Sequence, residues 1–182
     1  MIPQVKTSSV GVVLIISLAF ILSSCSGIRL EQQYYDEGAK TDVLPTSTHI
    51  FAANEDGETV LAWLIARRDS IFLVLELQYS PINHHRFHVD KGENLSVQFS
   101  DGDKYNLLNS YTTKSRRGTV QGDPDRFADL FIPLSINDMK TLLGKKITWL
   151  NVQSDTRNSS LYVKPGNDLA LKKMIRIMRP DL

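Results

Sequence analysis

A run of strict period-two alternation constrains this chain most. From Ile71 to Tyr79 the apolar residues Ile71, Leu73, Leu75, Leu77 and Tyr79 occupy every second position, while Glu76 and Gln78 share the intervening face with Phe72 and Val74. Successive side chains of an extended strand point to opposite faces, so such a run buries one face of a sheet and leaves the other wetter. The preceding segment, Thr59 to Arg67, alternates too: Val60, Ala62, Leu64 and Ala66 lie on one side, Leu61, Trp63 and Ile65 on the other. Ala and Leu are good helix formers, so Thr59 to Ala66 also carries a competing helical reading. With Arg68-Asp69-Ser70 as the interruption, the two runs are expected to form a central hairpin.

The same signature recurs along the chain. Ile50 to Ala53 leads into the turn cluster Asn54-Glu55-Asp56-Gly57. Leu95 to Phe99 alternates, Ser100-Asp101-Gly102-Asp103 reads as a turn, and Lys104 to Tyr111 runs back. An Asp-Gly step between alternating segments is a strong hairpin signal, because glycine accepts positive φ without steric cost. Phe127 to Pro133, Ile147 to Val152 and the short Leu161 to Val163 supply further strands. Two helices interrupt this pattern late. Ser135 followed by Asp138 resembles a capping box ahead of Met139, Leu142 and Leu143, with Gly144 as the stop. The last element begins near Asn167 or Asp168 and ends at Met178. It places Leu171, Met174, Ile175 and Met178 at i, i+3, i+4 and i+7, an amphipathic stripe expected to close the core. The expected fold is mainly β: one antiparallel β-sandwich or barrel-like domain over residues 48–182 with two short helices, the last C-terminal.

The N-terminus has a different character. Lys6 precedes Val10 to Leu22, thirteen residues interrupted in their apolar character only by Gly11 and Ser17. As a helix such a run rises about 20 Å, short of the roughly 30 Å hydrocarbon core of a bilayer, which is the geometry of an export signal. It ends in Leu22-Ser23-Ser24-Cys25, which resembles the lipobox of bacterial lipoproteins, and Cys25 is the one cysteine in the chain. The resemblance implies a signal peptide over residues 1–24, cleavage between Ser24 and Cys25, and acylation of the Cys25 thiol, palmitate among the chains. A thiol is the side chain nucleophilic enough to form the thioether. Two or three chains on one residue hold a protein firmly to a membrane, where one does so only marginally. The residue after the cysteine is Ser26, not aspartate. In enteric lipoproteins that pattern implies the outer membrane, so the expected location is the bacterial cell envelope, anchored by lipid. Residues 25–47, with Glu31, Gln32, Gln33, Asp36, Glu37, Gly38, Lys40 and Asp42, are expected to form a flexible tether with Tyr34 and Tyr35 as docking points.

Composition limits the chemistry. The chain carries 21 basic and 20 acidic residues, and losing Lys6 with the signal peptide balances them, which gives no support for nucleic acid as a partner. A single cysteine rules out an internal disulfide framework and any cysteine-rich metal site. The most conspicuous polar cluster is His84, His85, Arg86 and His88. His84 and His88 would share a face in a helix, but in a strand they lie about 13 Å apart and cannot hold one ion. No metal site and no cofactor are expected. A second cluster, Lys114, Arg116 and Arg117, lies in the polar stretch Thr112 to Arg126, expected to be a long loop. Its guanidinium forks suit phosphate, sulfate or an acidic partner. No Gly-x-Ser-x-Gly elbow, Ser-x-x-Lys set or phosphate-cradling glycine loop occurs, so no catalytic residue is assigned. The expected function is a binding, assembly or adhesion module of the envelope with a protein or polysaccharide partner. The alternative is an envelope hydrolase or small-ligand carrier with a pocket near His84 to His88.

Overall fold

The computed structural model describes residues 27–37, 40–67, 73–81, 85–120 and 123–182. The signal segment, Ser24, Cys25 and His84 lie outside the described residues. The two alternating runs become strands β4 (Thr59–Arg67) and β5 (Leu73–Ser80), paired antiparallel from Thr59 opposite Ser80 to Ala66 opposite Leu73. Val60, Ala62 and Leu64 meet Leu73, Leu75, Leu77 and Tyr79 in the core, as the alternation requires. The helical reading of Thr59 to Ala66 is overturned. Extended pairing on both edges of β4 outweighs the helix propensity of Ala and Leu.

β4 is the hub of the sheet. One edge carries β5, which in turn pairs with β11 (Asp123–Leu134) and, beyond it, β10 (Arg116–Val120). The other edge is shared: β3 (His49–Ala53) pairs with its first half and β2 (Thr41–Pro45) with its last residues. Thr46, 2% exposed, joins the two by exchanging backbone contacts with Leu64 through both its N–H (2.9 Å) and its hydroxyl (3.0 Å). β2 also pairs with β1 (Tyr34–Asp36). From β3 the sheet continues through one residue pair, Ala53 opposite Tyr162, into β13 (Asn158–Tyr162). It then runs through β12 (Ile147–Gln153), β7 (Gly92–Phe99) and β8 (Lys104–Asn109). β7 and β8 form the expected hairpin, with Gly102 at φ +91°, a conformation that favours glycine.

The result is an antiparallel sheet curled into a half-barrel, the barrel-like alternative of the expected mainly β fold. Its far ends meet. Ser110 N–H donates to the Phe131 carbonyl (2.9 Å), and Phe131 N–H donates to the side-chain oxygen of Asn109 (3.1 Å). Two helices help fill the inside. α1 (Ile136–Gly144) starts on a complete capping box between Ser135 and Asp138 and buries Met139 and Leu142. α2 (Pro165–Met178) lies along β3, β4 and β12 and buries Ala170, Leu171, Met174 and Ile175, so the methionine stripe belongs to the core. Asp168, buried in its first turn, accepts from Ile147 N–H (3.2 Å) and pairs with Lys172 (3.0 Å), tying the helix to the start of β12.

Two expectations need correction. Residues 27–37 and 40–47 are not a free tether. Ile28 and Val43 are buried, Leu30 bridges to Thr46, and β1 and β2 extend the sheet. Apolar residues here form no alternating run, so periodicity hides the strands, yet Ile28 and Val43 are covered by the sheet. Nor are the described residues of the stretch Thr112 to Arg126 an unstructured loop: β9 (Thr113–Lys114) pairs with β6 (His88–Val89), and β10 with the first half of β11. Backbone pairing needs no apolar side chains, which is why a polar stretch conceals it. Tyr34 and Tyr35 remain exposed on β1.

Candidate functional site

The two polar clusters singled out in the sequence meet in space. Phe87, 3% exposed and set edge-on to Tyr79 (ring centroids 5.8 Å apart), anchors the segment after Pro81, and Val89 is buried two residues later. With those alternate residues inward, Arg86 and His88 point to the other side. Pairing of His88 opposite Lys114 brings in the second cluster. Ser115 fastens the join: its N–H donates to the Phe87 carbonyl (2.8 Å) and its Oγ accepts from Phe87 N–H (3.0 Å).

The resulting cleft encloses about 610 Å³ and is lined by Arg86, Phe87, His88, Lys114, Ser115, Arg117, Arg126 and Asp155. Arg117 and Arg126 arrive as direct partners in the β10–β11 ladder. His88 is held on three sides by Asp155. Its Nδ1 lies 2.8 Å from Asp155 Oδ2, its backbone N–H donates to Asp155 Oδ1 (2.8 Å), and its carbonyl accepts from Asp155 N–H (3.0 Å). Nε2 faces Asp90 Oδ1 at 3.6 Å. Four permanent cations thus surround a hollow that offers, among the described residues, one lining carboxylate, and that carboxylate is engaged by His88. The charged groups of Arg86, Lys114 and Arg117 enter no ion pair among the described residues.

The remaining predicted residues fall elsewhere. Arg116 does not line the cleft; its Nη2 sits 2.6 Å from Asp129 Oδ2 and its guanidinium lies over the Phe127 ring, 4.6 Å from the centroid. Its role there is to fasten β10 to β11. His85 is exposed beside the cleft but is not part of its lining. Among the described residues, no three His, Cys, Asp or Glu side chains converge as a metal site would require. Nor, among the described residues, is any helix long and apolar enough to cross a membrane. Sequence reasoning missed Arg126 and Asp155. Arg126 lay at the end of the polar stretch, but only its pairing with Arg117 brings it to the cleft. Asp155 sits in the turn Ser154-Asp155-Thr156-Arg157, whose composition signals a turn and nothing of its reach to His88.

No family model, curated protein or solved structure matches this chain.

Chemically, the cleft suits an anion. Guanidinium forks and an ammonium group offer charge-assisted hydrogen bonds to oxyanions, each stronger than a neutral bond. A second cluster lies on the outer face of β4, β5 and β11. Burial pushes the Glu76 carboxyl up to about 7; a hydrogen bond from Trp63 opposes that shift and nearby Asp129 adds to it. This group faces the sheet's own Arg67 and Asp129 and stands apart from the cleft.

Proposed function

We propose that this chain is an exported envelope protein, lipid-anchored through Cys25, that works by binding, and that the cleft between β6, β9 and β10 captures an anionic group of its partner. The observation that carries the reading is the gathering of Arg86, Lys114, Arg117 and Arg126 around one hollow. Cations of like sign repel when brought together, and an anion relieves that repulsion. The lipobox Leu22-Ser23-Ser24-Cys25 supports the anchor and an outer-membrane location.

The alternative of a hydrolase rests on the pairing of His88 with Asp155. General-base catalysis turns the outer imidazole nitrogen toward a nucleophile, directly or through one water. His88 Nε2 instead faces Asp90, and the Ser115 hydroxyl serves the Phe87 backbone. Anion capture therefore has the better support, and a small anionic ligand fits the same cleft.

Titration with inorganic phosphate and pyrophosphate, followed by the imidazole resonances of His85 and His88, tests the cleft. The expected result is saturable shifts at His88 that weaken with added salt, and affinity reduced about tenfold or more in Lys114→Ala/Arg117→Ala. Shifts unchanged in that double variant would refute anion capture here. Labelled palmitate tests the anchor separately: a Cys25→Ser chain that still incorporates it and stays with the membrane fraction would overturn the lipobox assignment.

A further inference from the structure

The outer face of β8, β7, β12 and β13 sets an exposed aromatic pair beside rows of amides and hydroxyls. Leu95, Val97, Leu107, Leu150, Val152 and Leu161 point inward and are buried, so the alternate residues of all four strands share one outward face. The strand register arranges them in rows. Tyr162, Trp149, Gln98 and Lys104 stand opposite one another in the first, and Ser160, Asn151, Ser96 and Asn106 in the second. Asn158 and Gln153 begin a third, continued by Asn94 on β7.

Both complete rows lack branched aliphatic side chains. Trp149 and Tyr162 are 40% and 42% exposed and meet edge to face with ring centroids 5.4 Å apart. Beside them the amides and hydroxyls are linked across strands. Ser160 Oγ donates to Asn151 Oδ1 (2.7 Å), Asn151 Nδ2 reaches Ser96 Oγ (3.4 Å), and Asn106 Nδ2 donates to Glu93 Oε2 (2.9 Å). A shallow groove of about 240 Å³ runs over the second and third rows. Its charge is balanced, Lys104 against Glu93.

We infer that this face is a binding platform for a neutral glycan chain. Sugar rings present an apolar C–H face and a rim of hydroxyls. An exposed Trp–Tyr pair offers a rigid apolar platform to the first, and Asn and Gln side chains offer a donor and an acceptor together to the second. A polyanion is disfavoured because the groove holds as much negative as positive charge, unlike the cleft. A protein partner would exploit a contiguous apolar patch, whereas beside the aromatic pair this face exposes one aliphatic side chain, Leu108, at the far end of β8. Strands β12 and β13 present their residues at roughly 7 Å steps along each face, so three rows accommodate a run of several sugar units. The site is separate from the anion cleft and does not depend on it.

Fluorescence of the full-length protein carrying Trp63→Phe, in which Trp149 is the single tryptophan, tests the platform. Titration uses N-acetylchitohexaose and cellohexaose, two neutral hexasaccharides. The expected result is a saturable blue shift of emission with at least one of them. Calorimetry on Trp149→Ala and on Asn151→Ala should then read affinity lower by about tenfold or more, with Lys114→Ala/Arg117→Ala binding as the parent does. Both substituted positions face outward, and circular dichroism establishes that the variants fold. No spectral or calorimetric response to either sugar at millimolar concentration would overturn the inference. So would binding that survives both substitutions, or self-association of the protein abolished by Trp149→Ala without any saccharide response.

Discussion

Replacing Asn109 by alanine tests whether the curled sheet is held shut by one side chain. Asn109 is 1% exposed and closes three bonds where the last residue of β8 meets β11. Its Oδ1 accepts from Phe131 N–H (3.1 Å), while its Nδ2 donates to the carbonyls of Asp90 (3.1 Å) and Tyr111 (2.6 Å). A typical intramolecular hydrogen bond contributes about 1 kcal/mol net, and a buried group left unsatisfied costs about 1–3 kcal/mol. Three such losses amount to about 3 kcal/mol, a large part of a typical domain's stability. With a urea dependence of about 2 kcal/mol per molar, the midpoint should fall by about 1.5 M with the slope unchanged. Asn109→Asp separates bonding from packing. It keeps the acceptor for Phe131 N–H but turns its second carboxylate oxygen toward the Asp90 and Tyr111 carbonyls, so it should destabilise at least as much as alanine. Amide exchange at Ser110 and Phe131 should quicken in both variants. An alanine variant within about 0.5 kcal/mol of the parent would refute the closure argument.

Two further outcomes follow from the packing. Glu76 titrates at about 7 in the folded chain against an ordinary 4.5, so between these values the folded state holds more protons than the unfolded one. Stability should therefore fall as pH rises through this window and level off above it, and Glu76→Gln should flatten the slope in urea titrations run across pH. A Cβ placed on Gly118 would lie 2.1 Å from Cε1 of the Phe127 ring, so Gly118→Ala should cost about 1–3 kcal/mol. By shifting the strand that carries Arg117, the same substitution should weaken phosphate binding, read in the imidazole titration, without removing any charge.

Legibility in the sequence tracked burial. Where one face of a strand is apolar, as in β4, β5, β7 and β12, alternation locates the strand and the face it buries. The turn at Gly102 and the capping box at Ser135 were equally plain, because both are local chemistry. What escaped was pairing between polar or isolated segments. β1 and β2 carry one fully buried apolar residue, Val43, and β10 reads as a basic loop until β11 is seen beside it. The candidate cleft was half legible for the same reason. Its ingredients, Arg86, His88, Lys114 and Arg117, stand out by composition, but only the β6–β9 pairing and the reach of Asp155 bring them together. Such contacts join residues tens of positions apart, beyond any local pattern.

The single residue pair between β13 and β3 divides the sheet into two blocks, one built on β4 and one on β7 and β12. A continuous ladder would make the blocks unfold together through its own hydrogen bonds. Here that coupling passes instead through α2, which rests on β3, β4 and β12, through side-chain links such as Tyr79 to Ser159 (2.6 Å) and Glu58 to Arg157 (2.7 Å), and through the closure at Asn109. Cooperativity in this protein is thus a property of side-chain packing more than of backbone bonding. The helix acts as the keystone: loosening its apolar face would leave each block its own hairpins and turn one unfolding transition into two.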